Sequence, residues 1–335
     1  MVKKLYVNIL LFFLVIFLNK KKNLGNNYNI IKSIKRRLYN KIKEKFNKNI
    51  TYMNSLYITG GLKFGNFLIS LNNAIIFCEL FHYKRIIIEN NKLIFIKNKL
   101  LFPKYNLSIE PNHTSNNSLN LDANFFYYSY FRLFGKVNKY FLFRDEIMKN
   151  LPKTKTHPND LYIYIRGGDI FKTLNKSNPN YPQPPFCFYE NVLNIFKFRK
   201  SIIISEDQSN PVFQKLIDKY PYIKYNKNNI KNDISYLVNS YNIVSAVSSF
   251  IITIIKLNYK LKFLWEFDFY KLSERYYHYH HSVYNFSFNY FVYKMEVSEN
   301  YKKIIFPFYN TEIQRKLMFE AKCNNNFSVI PPRIL

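Results

Sequence analysis

Two rhythms of apolar and polar residues run along this chain, and each change of rhythm marks an element. Short β-branched and aromatic runs at 56–59, 84–89, 161–165, 201–205, 222–225, 242–247 and 261–265 predict strands. Between them, apolar residues recur at helical spacing over 65–81, 186–198, 210–219, 231–240 and 249–257, with two further helical patterns near 122–134 and 138–150. Strand and helix therefore alternate, which argues for parallel βαβ units with helices on both faces of each sheet. The stretch FPKYNLSIEPNHTSNNSL (103–120) reads as a polar loop, and LPKTKTHPND (151–160) reads as a linker between two α/β halves. From residue 276 onward the chain is aromatic-rich and shows no clear period. The implied organisation is an N-terminal domain at 51–155, a second domain at 156–285 and an aromatic-rich segment at 286–335.

Glycine placement sharpens this picture. The chain has only seven glycines, and five of them sit in two stretches, TGGLKFGNF (59–67) and LYIYIRGGDIF (161–171). Both follow a predicted strand, and in open α/β sheets ligands sit beyond the carboxyl ends of the strands. In the second stretch Arg166 can grip a phosphate with two parallel hydrogen bonds. Gly167 and Gly168 allow a tight turn and close backbone approach to a ligand. Asp169 can orient the arginine, cap the next turn, or act on a proton. In the first stretch Gly60 and Gly61 follow the strand, while Gly65 and Asn66 open a helix whose N-terminus favours anions. The Gly-x-Gly-x-x-Gly spacing of the dinucleotide fingerprint is absent. Taken singly, each stretch is equally well an ordinary glycine turn.

Composition narrows the classes. Hydrophobic residues make up 48% of the chain and charged residues 21%, as in a globular protein. The formal charge of +29 would fit a nucleic-acid binder, but the lysines are spread along the whole chain and no zinc-finger or RNA-binding signature accompanies them. Nucleic acid is therefore not the expected partner; phosphorylated ligands and acidic membrane surfaces are. Cys78, Cys187 and Cys323 are widely separated and odd in number, so they are read as neither a disulfide framework nor a metal cluster. The His-rich HYHH (278–281) has no partners spaced for zinc, and FFYYSYF (125–131) reads as helix core.

At the N-terminus an apolar run from Leu5 to Leu18 lies between lysines, which predicts a signal anchor or signal peptide over 1–22, followed by a basic stem over 23–50. The body is then expected in the lumen of the Golgi or endoplasmic reticulum, held to the membrane through residues 5–18. Seven Asn-x-Ser/Thr sequons, Asn49, Asn106 and Asn112 among them, suit that placement. The balance of lysines around the run opposes it.

The two glycine stretches together resemble the fucosyltransferase superfamily, which contains the α1,2-, α1,6- and protein O-fucosyltransferases. NYPQPPFCFY (180–189), IIISEDQSNPVFQKL (202–216) and NDISYLVNSYNIVSAVSSFIITIIKLN (232–258) extend the resemblance over roughly residues 56–265. Two positions depart from the family pattern. Tyr164 stands where a histidine is usual, and Phe67 stands where Gly-Asn-Gln would place a glutamine. The resemblance implies a GT-B fold, two Rossmann-like domains facing a central cleft. It also implies GDP-fucose as donor, transferred with inversion to a glycan or protein hydroxyl without a required metal or other cofactor, and the chain indeed has no Asp-x-Asp motif. Under that reading Arg166 neutralises the leaving diphosphate. Tyr164, Ser248, Ser249 and Phe250 hold the phosphates and the base or ribose, Asp233 meets the guanine edge, and Gly61, Gly65 and Asn66 close over the donor. Asp169 and Glu89 are candidate general bases, and Glu206 and Asp207 either contact the nucleotide or cap a helix. A non-catalytic GDP- or sugar-binding relative is the alternative.

Overall fold

The computed structural model describes residues 55–59, 64–81, 83–88, 100–102, 107–111, 118–122, 144–177, 179, 181–225, 227–268, 289–296 and 298–332. The N-terminal apolar run, the basic stem, Gly60, Gly61, Glu89, the aromatic run 125–131 and the histidines of 278–281 lie outside these residues. The chain divides into two compact units, Met1–Val137 and Asn138–Leu335. Among the described residues, no helix is long and apolar enough to cross a membrane.

Among the described residues, the first unit holds five strands, β1 (Ser55–Thr59), β2 (Arg85–Ile88), β3 (Leu100–Phe102), β4 (Leu107–Pro111) and β5 (Ser118–Asp122), and the helix α1 (Phe64–Phe81). They form one sheet in the order β3-β4-β2-β1-β5, in which every pairing except β3–β4 is parallel. Leu68, Leu71, Ala74, Ile75 and Cys78 recur at three- and four-residue spacing along α1 and are all buried. Strand β4 and the start of β5 fall within the stretch 103–120 expected to be a polar loop. Polar residues inside the sheet hide that signal: Ser108 and Glu110 are buried, Ser108 Oγ donates to Glu110 Oε1 at 3.1 Å, and Arg85 lies 3.8 Å from the same carboxylate.

The second unit is built on seven strands, β6 (Asp160–Ile165), β7 (Lys200–Ser205), β8 (Lys224–Tyr225), β9 (Asn242–Val244), β10 (Phe263–Phe267), β11 (Phe291–Met295) and β12 (Phe327–Ile330). Among the described residues its helices are α2 (Arg144–Lys149), α3 (Phe186–Ile195), α4 (Pro211–Lys219), α5 (Ile230–Asn239), α6 (Ser249–Leu257), α7 (Glu299–Ile305) and α8 (Glu312–Glu320). The sheet order is β12-β11-β10-β9-β6-β7-β8, parallel throughout except for β12. From a fully buried β6 the chain steps outward to β7 and β8, returns to β9 on the other side, and continues outward to β10 and β11. Counted from β6, this is the 3-2-1-4-5-6 order of a doubly wound sheet, compatible with a Rossmann-like fold. Its topological switch point lies between β6 and β9, where Leu161 and Ile163 pair with Asn242 and Val244.

Local signals start these helices where the sequence pattern places them. Asn210 accepts a hydrogen bond from Val212 N and precedes Pro211 at the first turn of α4, while Asn229 and Ser248 cap α5 and α6 in the same way. Two parts of the expected organisation differ. The stretch 151–160 is not a free linker: Thr154 and Thr156 hydroxyls donate to the carbonyls of Ser235 and Asn239, Ser235 Oγ donates to Pro152 O, and the division between units falls before residue 138 instead of at 155–156. Residues beyond 286 belong to the second unit, since β11 and β12 extend its sheet and α7 and α8 pack beside it. Several of their aromatics join its core: Tyr301 and Phe308 are buried there, and Tyr293 and Phe327 pack against it. Phe196, Trp265, Tyr293 and Phe327 pack together, mostly edge to face, with ring centroids 5.1–6.4 Å apart.

The cysteine expectation is corrected. Cys187, in α3, and Cys323, after α8, form a disulfide with their Cα atoms 5.6 Å apart, joining positions 136 residues distant in sequence. Sequence spacing could not reveal the pairing because the fold, not the local chain, brings the two together. Cys78 is the free thiol, and burial raises its pKa.

Candidate functional site

The arginine motif sits at the carboxyl end of the central strand. β6 ends at Ile165, Arg166 leaves the sheet, and the chain closes a short 3₁₀ turn over Gly168–Ile170. Both glycines are required by the neighbouring turn between β7 and α4. A Cβ on Gly167 would lie 2.4 Å from Asp207 Oδ1, and one on Gly168, whose φ is +66°, would lie 2.3 Å from Glu206 Oε2. The space these glycines leave is filled by the two carboxylates, not held open for a ligand as the sequence pattern suggests. The two turns are joined by hydrogen bonds as well. Gly168 N and Ser209 N both donate to Asp207 Oδ1 at 3.0 Å, Asn210 Nδ2 donates to Arg166 O at 3.0 Å, and Ser205 Oγ donates to Ile165 O at 2.9 Å.

Arg166 is held between two carboxylates. Its Nη1 donates to Glu206 Oε2 at 2.9 Å and its Nη2 donates to Asp169 Oδ1. The arginine side chain is 12% exposed, whereas those of Asp169 and Glu206 are 59% and 50% exposed, so the pairs open onto solvent at their acidic side. Burial works against the guanidinium charge, but Tyr164, Asp169, Glu206 and Tyr181 outweigh it and hold the pKa of Arg166 above its usual value. Asp207 is shifted the opposite way for a carboxyl. Burial raises it, and the hydrogen bonds from Ser209 and Gly168 more than compensate, so it stays ionised to lower pH than an ordinary aspartate.

Across the switch point stands the start of α6. Ser248 caps the helix by accepting from Phe250 N at 3.1 Å, and Tyr164 OH donates to Ser248 Oγ at 3.3 Å. The Tyr164 and Phe250 rings lie 5.4 Å apart. Tyr164 is buried, which raises its hydroxyl pKa despite the nearby Arg166. Residues from three separate motifs, Tyr164 with Arg166 and Asp169, Glu206 with Asp207, and Ser248 with Ser249 and Phe250, thus meet at one end of the sheet. A loop from a fourth motif supports them. Gln183, fully buried, donates from Nε2 to the carbonyls of Tyr181 and Val247, tying the Pro-rich loop to the turn that leads into Ser248.

Asp233 stands in the first turn of α5, after β8, and is also buried. It and Asp207 both raise the pKa of Tyr225 at the end of β8, adding to the larger effect of that tyrosine's burial. Burial pushes the Asp233 carboxyl up to about 6, offset only in part by the Asn228 amide. In the first unit Gly65 and Asn66 lie in the opening turn of α1; Gly65 is buried and Asn66 O accepts from Ser70 Oγ at 2.9 Å. Phe67 is buried beside them in that unit's core. Gly61 lies outside the described residues.

No family model, curated protein or solved structure matches this chain. Among the described residues, no group of three or more His, Cys, Asp or Glu side chains is arranged to hold a metal ion. Arg315 and Asn310, which reach the arginine turn from the C-terminal segment, were missed in the sequence because no local pattern connects positions more than 130 residues apart.

Proposed function

We propose that this chain is a glycosyltransferase that binds a nucleoside-diphosphate sugar at the switch point of the second sheet, with GDP-fucose as donor and a glycan or protein hydroxyl as acceptor. One observation carries the reading. Arg166 at the end of β6 and the capped N-terminus of α6 stand on either side of the β6–β9 crevice, joined through Tyr164 and Ser248. A doubly wound sheet takes phosphorylated ligands at that position, where helix dipole and backbone donors favour an anion. Arg166 supplies the fixed positive charge that stabilises a departing diphosphate without a metal. Ser248, Ser249 and Phe250 lie against the phosphates and ribose, and Asp233 in its ionised form accepts from the guanine edge.

The carboxylates around Arg166 add a step to this reading. A diphosphate at the guanidinium competes with Glu206 and Asp169 for its charge. Once displaced, Asp169 is a solvent-facing carboxylate three residues from the arginine, placed to take the proton of the acceptor hydroxyl. Two α/β units are also what the GT-B reading calls for. The Cys187–Cys323 disulfide is consistent with a body in the oxidising lumen of the secretory pathway, anchored through residues 5–18.

The same ion pairs favour a second reading, a GDP- or sugar-binding protein without turnover. There the arginine stays neutralised and Tyr164, in place of a histidine, serves only to hold Ser248. Thermal shift with GDP, UDP and ADP in metal-free buffer tests both readings, followed by donor turnover. GDP alone should stabilise the protein. Equal shifts with all three, or none, would refute the nucleotide site; saturable GDP binding without donor hydrolysis or transfer selects the second reading.

A further inference from the structure

The described residues of the loop leaving the arginine turn, 171–177, 179 and 181–185, are held at several points by the C-terminal segment. Arg315 Nη2 donates to Phe171 O at 2.7 Å, and its Nε donates to Asn310 Oδ1 at 2.7 Å. Asn310 Nδ2 in turn donates to Thr173 O at 3.0 Å. Further on, Phe308 N donates to Pro179 O at 3.1 Å, and Tyr301 OH donates to Gln183 O at 2.9 Å. Every acceptor in the loop is a main-chain carbonyl, the kind of group that must find a partner when removed from water.

The first two contacts bear directly on the site. Phe171 N and Lys172 N both donate back to Gly168 O, so Phe171 closes the same turn that carries Asp169. Arg315 grips that closing residue from two sides: its guanidinium lies over the Phe171 ring at 5.9 Å, while Phe171 packs edge-on against Phe308 at 5.7 Å. Asn310 is fully buried with a φ of 60°, a conformation asparagine tolerates better than most residues. The Cys187–Cys323 bond then ties the chain just beyond α8 to α3, at the far end of the same loop.

We propose that Arg315 and Asn310 are positioning residues for the ligand site: they fix the Gly168–Phe171 turn, and with it the placement of Asp169 against Arg166, so that the site takes shape only when the C-terminal segment is docked. The proposal rests on reading the Arg166 turn as a ligand site. It requires the planar fork of arginine, because one guanidinium bonds two acceptors in different directions at once and a lysine ammonium on a flexible stem does not reproduce that.

The test uses the full chain with Arg315→Gln, Arg315→Lys and Asn310→Gly. Glycine is chosen at 310 because it keeps the left-handed backbone without strain and removes only the bridging amide. Hydrogen–deuterium exchange over peptides spanning 166–177 is read together with GDP affinity by calorimetry. All three variants should melt as cooperatively as wild type, exchange faster over 166–177 only, and bind GDP roughly tenfold or more weakly, the scale expected on losing a charge-assisted hydrogen bond. Arg315→Lys should fail to rescue. Unchanged exchange in 166–177, or full GDP affinity alongside faster exchange, overturns the positioning role. If wild type binds no GDP, the nucleotide reading has failed instead, and the exchange data alone decide whether these residues hold the turn.

Discussion

Replacing both Cys187 and Cys323 by alanine separates a chemical bond from the packing around it. The bond closes a loop spanning 136 positions, for which chain entropy predicts a stabilisation of about 5 kcal/mol. Part of that gain is lost to residual structure in the unfolded chain, so about 2–4 kcal/mol is the expected net effect. Alanine is preferred to serine because Cys187 is buried and a hydroxyl there would add a desolvation cost of its own. For a unit of this size, each kcal/mol moves the midpoint by roughly 2–4 °C, so the double variant should melt roughly 10 °C below the oxidised wild type. Reducing the wild type should reproduce that drop, and reducing the variant should do nothing. The assay is differential scanning calorimetry with and without reductant on protein secreted from an oxidising host. Thiol titration in denaturant provides the independent count: one reactive thiol, Cys78, before reduction and three after. Three thiols before reduction would refute the pairing, and an unchanged melting point in a chain that does carry the bond would refute the entropy argument.

Three further outcomes are expected. Arg166→Ala should leave a cooperatively folded protein and lower donor turnover on the order of 10²–10³-fold, with Arg166→Lys little better; stopped-time transfer assays beside melting curves check it, and a folded variant with normal transfer removes Arg166 from the site. Gly168→Ala should cost on the order of 1–3 kcal/mol by chemical denaturation, because its φ is +66° and its Cβ would meet the Glu206 carboxylate; a loss below the error of the measurement contradicts the interlocked turns. Asp233 is raised in the folded state to about 6 from an ordinary 3.8, so its contribution to stability is fully present below the lower value and is lost as pH rises through the upper one. Asp233→Asn should therefore gain on wild type between pH 4 and pH 7.5, by up to about 3 kcal/mol, while binding GDP more weakly at neutral pH; stability curves that stay parallel across that range contradict the buried carboxylate.

Much of the second unit was legible because its elements announce themselves locally. Runs such as LYIYI and SIIIS are apolar on both faces, as strands in the middle of a parallel sheet must be, and Asn210-Pro211 and Ser248 mark helix starts by their own hydrogen bonding. The grouping of Arg166, Tyr164, Ser248 and Phe250 was legible too, since each lies at or just beyond the end of a strand and strand ends converge in this topology. The features that stayed hidden depend on distant parts of the chain. β4 carries a buried Ser108–Glu110 pair that reads as a loop, and β11, FVYKM, has no clean alternation and lies in an aromatic-rich stretch. The occupants of the space beside Gly167 and Gly168 come from another turn, and the bond from Arg315 to Phe171 crosses more than 140 positions.

The fit between the glycine pair and the acidic pair has a consequence for anyone altering this protein. Gly167 with Asp207, and Gly168 with Glu206, form two matched couples about forty positions apart in sequence, each excluding the other's side-chain growth. A library randomised at 167–168 alone sets each new side chain against a carboxylate that must move aside, and at 168 against a positive φ as well. One randomised at 206–207 alone loses the Glu206 partner of the arginine and the Asp207 acceptor that joins the two turns. Mutations across the two turns are therefore epistatic, and an enlarged residue at 167 becomes tolerable only in a background where 207 has already been shortened. At 168 the positive φ withholds even that escape, so this position should stay glycine through rounds of selection in which its acidic neighbour is free to change.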